Sequence, residues 1–275
     1  MSIRRASADL LAPMRPLLSR GHRMTPGFLV VGTKRGGSTS AYHWIAQHPA
    51  VAPCHTRKGT HYFDVNFGRG PSWYLSGFDR PSSRWLITGE ASPYYMFHPL
   101  APQRIAHMLP DVKLIAVLRD PVTRAWSHHQ YEYARGTEHL GFAEALERED
   151  ERLAGEEERM RAHPSYESFE HRHHAYLHRG HYAAQLTTLL DLFPREQLLV
   201  LQSEAMFADP HGQLARVWDF LDLPPVRLEG LKAMKAGTYD AMPGDTAEWL
   251  QRYYAPHNDK LYSLPGIDFR WETTP

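Results

Sequence analysis

The sequence predicts an α/β fold, a single domain whose central parallel sheet is flanked by helices. Three observations predict it. Residues 28–40 read FLVVGTKRGGSTS, an apolar run of strand type ending in Gly32, then a Gly-rich turn, then hydroxyl residues that open a helix over 41–47. Residues 113–127 read KLIAVLRDPVTRAWS, where the continuous apolar run 114–118 has the character of a strand buried on both faces. Short apolar runs then keep alternating with helical periodicities, which argues for parallel strands covered by helices on both sides.

The elements follow in order. After the strand at 28–32 and the helix at 41–47, a strand is expected at 85–88 and a helix at 102–108. In the run 113–127, Asp120 is a natural N-cap and Pro121 a natural first helical residue, so a helix is expected over 122–135. A helix is expected over 142–161, and residues 144–161 of it are densely charged, with both signs at helical spacing. They read as a solvated helix with i,i+4 pairs, or as a wall or lid over a site. A helix at 182–192, a strand at 197–202 and a helix at 211–221 complete the pattern. Residues 1–26 mix arginines and leucines without a long apolar run or a cleavage site, and read as a flexible tail ahead of a domain at 27–275. A lid or a peripheral membrane contact is the other reading of that segment.

Composition narrows the function. A chain of 275 residues is long enough for one domain with a full core. The formal net charge of +0 argues against a bulk basic surface for nucleic acid, so any anion must be held by local clusters. The single cysteine, Cys54, excludes a disulfide framework and fits a reducing, cytoplasmic setting. No apolar run has the length of a membrane span, so no integral membrane segment is expected.

The stretch 28–40 has the makings of an anion cradle. Glycines let backbone N–H groups close on an oxyanion, and the helix dipole favours negative charge there. It resembles a Walker A loop, with Gly32 and Gly37 at the glycine positions and Thr39 at the hydroxyl position. Ser38 stands where the lysine belongs, and the cations Lys34 and Arg35 lie inside the loop. That makes a P-loop-like phosphate site that is unlike an ATPase. The second stretch offers another. Arg119 follows the strand at the end where open α/β sheets bind ligands, and Ser127 sits two turns into the helix, able to face back. A guanidinium fork and a hydroxyl suit a second phosphate. The plainer alternatives are a βα turn with two surface cations, and an Arg119 paired with Asp120.

With both motifs in place, the chain resembles the sulfotransferases that use 3′-phosphoadenosine 5′-phosphosulfate (PAPS), and most closely their heparan-sulfate-type branch and its bacterial relatives. Leu118, Arg119, Asp120, Pro121, Arg124 and Ser127 match the family's LRDP-x-x-R-x-x-S stretch. Further matching segments are KGTHYFD (58–64), WYLSGF (73–78), GEASPYY (89–95), RGHYAAQL (179–186) and LLVLQSEAMFADP (198–210). The resemblance implies the sulfotransferase fold and PAPS as co-substrate, with no metal. Lys34, Arg35, Gly36, Gly37, Ser38, Thr39 and Ser40 would hold the 5′-phosphosulfate, and Arg119 and Ser127 the 3′-phosphate. Arg179 would be a further phosphate contact or the support for one. Lys235, Gly237, Thr238 and Tyr239 would form a loop closing over the 3′-phosphate and adenine, unless they are a surface turn.

Sulfuryl transfer needs a base for the acceptor hydroxyl and positive charge on the leaving oxygen. Lys34 and Arg35 are the leaving-side cations, and relatives usually carry a lysine at the Arg35 place. The family base is a Glu two residues before the motif histidine, and here that place is Gly59. His61 and Glu90 are the replacements, with Asp64 behind them; a buried Glu90 would have its pKa raised. A lysine that often follows the family counterpart of Glu90 is replaced by Ala91. His171, His173, His174, His178 and His181 crowd one segment, and His174 and His178 are read as sharing a helix face. Interleaved arginines make a solvated or acceptor-lining role the better reading than a metal site. The expected function is transfer of a sulfuryl group from PAPS to a hydroxyl of a carbohydrate, a glycolipid or a small natural product. A P-loop phosphotransferase and a PAPS-binding protein with little activity are the alternatives.

Overall fold

A computed structural model of the protein describes residues 23–56, 59–234 and 241–271. Five parallel strands form one sheet: β1 (Phe28–Gly32), β2 (Val51–Ala52), β3 (Ile87–Ala91), β4 (Lys113–Leu118) and β5 (Leu198–Gln202), in the order β2-β3-β1-β4-β5. Phe28 to Val31 and Leu114 to Leu118 are fully buried, as strands covered on both faces must be. From β1 the chain first lays strands on one side, β2 at the edge and then β3 between it and β1, and later on the other, β4 and β5. The carboxyl ends of β1 and β4 therefore flank a topological switch point, the place where open α/β sheets form a crevice.

The helices pack on the two faces. They are α1 (Ser38–Ile45), α2 (Pro71–Ser76), α3 (Ala101–Met108), α4 (Pro121–Ala134), α5 (Phe142–Glu147), α6 (Glu149–Leu153), α7 (Glu156–Ala162), α8 (Phe169–His173), α9 (Tyr182–Leu192), α10 (Ser203–Ala208), α11 (Pro210–Phe220) and α12 (Gly244–Tyr262). Asp120 caps α4 as expected, its carboxylate accepting from the N–H groups of Val122 and Thr123.

Several boundaries differ from the sequence reading. The strand expected at 85–88 is β3, shifted to Ile87–Ala91, and Leu86 before it is 64% exposed. Its second half is Gly-Glu-Ala, which does not read as a strand because the buried carboxylate is satisfied inside the fold. The single helix expected at 142–161 is three short ones. Gly155, in the left-handed region at φ 72°, separates α6 from α7. The helix expected at 41–47 starts three residues earlier, directly after Gly37. Helix α12 was not expected, since Pro256 lies inside it and only Leu250, Tyr254 and Leu261 on it are buried. Within the segment read as a tail, Arg23 donates to the Phe78 carbonyl and Met24 N–H to the Asp79 carbonyl, so the folded part begins before residue 27. No described helix is long and apolar enough to cross a membrane.

Candidate active site

The loop after β1 is held open by its backbone. Thr33 N–H extends the β1–β4 pairing by donating to the Val117 carbonyl at 2.9 Å. Gly36 packs so tightly that a Cβ would lie 2.5 Å from the Val117 carbonyl oxygen. Gly37, at φ 97°, turns the chain into α1, whose start has no side-chain cap and no acidic residue in the first turn. Uncapped N–H groups at a helix start attract an anion. Lys34, Arg35, Gly37, Ser38 and Thr39 line a cleft of about 1210 Å³, whereas Gly36 and Ser40 do not. Ser40 is fully buried and accepts from Met234 N–H at 2.8 Å, tying down the chain that forms the cleft rim at Ala233 and Met234.

The second motif meets the first across this cleft. Arg119, at the end of β4, lines it and donates from Nε to Thr123 Oγ1 at 3.1 Å, while the carboxylate of Asp120 is engaged in capping. Ser127 lines it too and accepts from Arg35 Nε at 3.1 Å, so the Gly-rich loop and α4 touch directly. The Arg35 guanidinium also lies 4.8 Å from the centre of the Tyr131 ring. Arg124 of the same motif points the other way: it is fully buried and donates to the Tyr176 carbonyl, a structural role.

Positive charge is concentrated at the cleft's centre. Arg179 is fully buried yet lines the cleft, donating from Nη2 to the carbonyls of His171 and Arg172, while among the described residues its buried Nε and Nη1 have no hydrogen-bond partner. The Tyr94 and Phe97 rings sit 5.1 and 4.5 Å from that guanidinium. Lys34 donates to Glu132 Oε1 at 2.5 Å and to the Arg172 carbonyl at 3.2 Å. Burial first, and then the charge of Arg179, pull its pKa down to about 7 against the raising effect of Glu132.

The candidate bases separate cleanly. His61 lines the cleft, and its Nδ1 lies 2.8 Å from Asp64 Oδ2. The Asp64 side chain is fully buried and orients the ring, so Asp64 supports His61 and does not itself face the cleft. With Nδ1–H donating to Asp64, Nε2 keeps the lone pair. Glu90 is not part of the cleft lining. It is fully buried inside β3 and accepts from Thr60 N–H and Oγ1, Ser92 Oγ and Tyr95 Oη. Burial raises its pKa, with those donors opposing. Its place in the fold is to anchor the loop that carries His61.

Gly59 lies on that anchored loop, and a Cβ there would be 2.1 Å from the Ala91 carbonyl oxygen. No side chain fits without moving the end of β3, so a carboxylate cannot simply be returned to this position. Gly59→Ala is expected to lower the unfolding free energy by about 1–3 kcal/mol, the usual cost of overpacking. A denaturant melt that leaves the midpoint unchanged would show that the loop gives way freely.

His173 of the histidine-rich segment lines the cleft as well, and three further cleft residues, Glu132, Arg172 and Tyr131, were not foreseen. Part of the signal was available. Asp120, Thr123, Ser127 and Tyr131 recur at spacings of three and four along α4 and all face the cleft, so continuing the Ser127 stripe would have reached Tyr131 and its neighbour Glu132. The histidine-rich segment, by contrast, is not one helix face. His174 closes α8 and binds Glu170, while His178 opens a separate 3₁₀ turn and binds Glu149. Among the described residues no group of His, Cys, Asp and Glu side chains is arranged to hold a metal ion. Lys58, Lys235, Gly237, Thr238 and Tyr239 lie outside the described residues.

Comparison with known proteins places this arrangement. The sulfotransferase-domain family model matches residues 25–261. The chain is 30% identical to mouse heparan sulfate glucosamine 3-O-sulfotransferase 6, over 97% of its length and 80% of that protein. It is 30% identical to human heparan sulfate glucosamine 3-O-sulfotransferase 3A1, over 93% of its length and 64% of that protein. A sulfotransferase structure from Alicyclobacillus acidocaldarius superposes with a TM-score of 0.71 at 29% identity, covering 89% of this chain and 97% of the other. The parallel sheet with its Gly-rich loop and the breadth of these matches lead to one conclusion: the chain belongs to the sulfotransferase family and is a sulfotransferase.

Proposed function

We propose that the protein transfers a sulfuryl group from PAPS to a hydroxyl of a carbohydrate or a similar hydroxyl-bearing acceptor. One observation carries this reading: two anion sites, the uncapped start of α1 and the Arg119–Ser127 pair, open on one cleft and are joined by the Arg35–Ser127 hydrogen bond. A donor with phosphates at both ends of a nucleoside needs two such sites.

In the reaction the acceptor oxygen attacks sulfur as the bond to the 5′-phosphate oxygen breaks, giving a sulfate ester and adenosine 3′,5′-bisphosphate. The loop N–H groups, Lys34 and Arg35 oppose the charge that grows on the leaving phosphate. Arg119 and Ser127 fix the far end of the donor and so the angle of attack. His61 Nε2 takes the acceptor proton, with Asp64 holding the ring and stabilising the imidazolium. The two mammalian relatives are named for heparan sulfate glucosamine, which supports a glycan as acceptor. The lone, unpaired and buried Cys54 supports a cytoplasmic setting.

The test is a calorimetric titration with adenosine 3′,5′-bisphosphate and, separately, ADP. The bisphosphate is expected to bind at least about 100-fold more tightly, because ADP lacks the group that Arg119 and Ser127 hold. Equal binding of the two would return the cleft to a general nucleotide site and favour phosphotransfer.

A further inference from the structure

We propose that Glu132 is a positioning residue of the transfer site: its carboxylate holds the Lys34 ammonium and the His173 ring in place at the cleft wall. The inference rests on the donor reading above. Glu132 lies on α4, five residues beyond Ser127, and its side chain is fully buried. Oε1 accepts from Lys34 at 2.5 Å and faces His128 Nε2 at 3.5 Å; Oε2 pairs with His173 Nδ1 at 3.1 Å and accepts from Thr137 Oγ1 at 2.6 Å. Both oxygens are engaged by neighbouring side chains, and the side chain is fully buried. It acts through the two side chains it holds, and both of those line the cleft.

The groups around Lys34 explain why a carboxylate is needed. Arg179 comes from the 3₁₀ turn, Arg172 from the end of α8 and His128 from α4, while His173, Arg35 and Tyr94 line the same cleft. Burial and the neighbouring arginines favour a neutral amine, and Glu132 is the anion in contact that opposes them. A neutral lysine would bring no positive charge to a leaving phosphate. Glu132 itself is kept ionised: burial alone would raise its pKa, but His128, His173 and Lys34 together hold it well below the usual carboxylate range.

The sign of the effect follows. Lys34 is charged below its pKa and loses that charge as pH rises through about 7. Without the carboxylate the loss moves to lower pH. Below both values the two proteins carry the same charge on Lys34; above both, each must take up a proton to hold a phosphate, and the variant does so at greater cost.

The test measures adenosine 3′,5′-bisphosphate affinity from pH 5 to pH 9 for the wild type, Glu132→Gln, Lys34→Met and the double variant. Glu132→Gln keeps the shape and removes the charge. At pH 8 it is expected to bind at least about tenfold more weakly than the wild type, the equivalent of one pKa unit. At pH 5 it should bind as tightly or more tightly, which also shows that it folds. In the Lys34→Met background the same substitution should lose its pH-dependent effect. Equal affinities at every pH, a loss that is the same at every pH, or a pH-dependent loss that persists without Lys34 would each overturn the proposal. If the wild type fails to bind the bisphosphate, the donor reading fails first and takes this inference with it.

Discussion

Replacing Arg119 with Ala is expected to weaken adenosine 3′,5′-bisphosphate binding by about 100-fold while leaving ADP binding within about twofold. A charge-assisted hydrogen bond contributes roughly 1.5–3 kcal/mol, and a guanidinium can make two to one phosphate. The variant should fold normally. Among the described residues the Arg119 side chain donates only to Thr123, and the part of Arg119 that the fold uses is its backbone carbonyl, which accepts from Tyr182 Oη at 2.8 Å and survives the substitution. Arg119→Lys separates charge from geometry: it keeps the cation, loses the fork, and should fall between Ala and wild type. Calorimetry with both ligands decides the matter. A loss of ADP affinity as large as that for the bisphosphate would mean that Arg119 serves the nucleotide in general, and the assignment of its partner as a 3′-phosphate would be lost.

This cleft was legible in the sequence where its residues lie at the ends of regular elements. Strand β1, the Gly-rich turn, Arg119 at the end of β4 and Ser127 two turns into α4 are local patterns, and a parallel sheet brings their carboxyl ends to one edge by topology alone. What was not legible depends on contacts distant in sequence. Glu90 reads as a candidate base because a carboxylate at a strand end suggests chemistry; only the three-dimensional fold brings Thr60 from 30 positions away to join the local donors Ser92 and Tyr95, and removes the carboxylate from the cleft. Glu132 meets Lys34 across 98 positions and His173 across 41. No periodicity reports such a meeting, although the α4 stripe pointed toward it. Gly59 reads as the loss of a catalytic group, whereas the structure gives it a steric reason, the carbonyl of Ala91.

With Glu90 sealed and Gly59 unable to carry a side chain, His61 is the imidazole on the acceptor-side loop that faces the cleft with a carboxylate behind it. His61→Asn is the informative substitution. His61 has φ 50°, in the left-handed region where most residues are strained and Asn is tolerated, so Asn preserves the loop while Ala would disturb it. Asparagine cannot take a proton near neutral pH. Sulfuryl transfer, followed as bisphosphate release from PAPS in the presence of acceptor, is expected to fall by about 10²–10⁴-fold in kcat. Bisphosphate binding should be unchanged, since the proposed donor contacts lie on the loop, α4 and the 3₁₀ turn. Asp64→Asn should cost less, because it leaves the imidazole in place and removes only the charge that orients it and stabilises its protonated form. The double variant should be no slower than His61→Asn alone, because Asp64 acts through the ring. A His61→Asn enzyme that keeps more than about half of wild-type kcat would rule the imidazole out as proton acceptor. A double variant much slower than either single one would mean that Asp64 has a route to the substrate of its own.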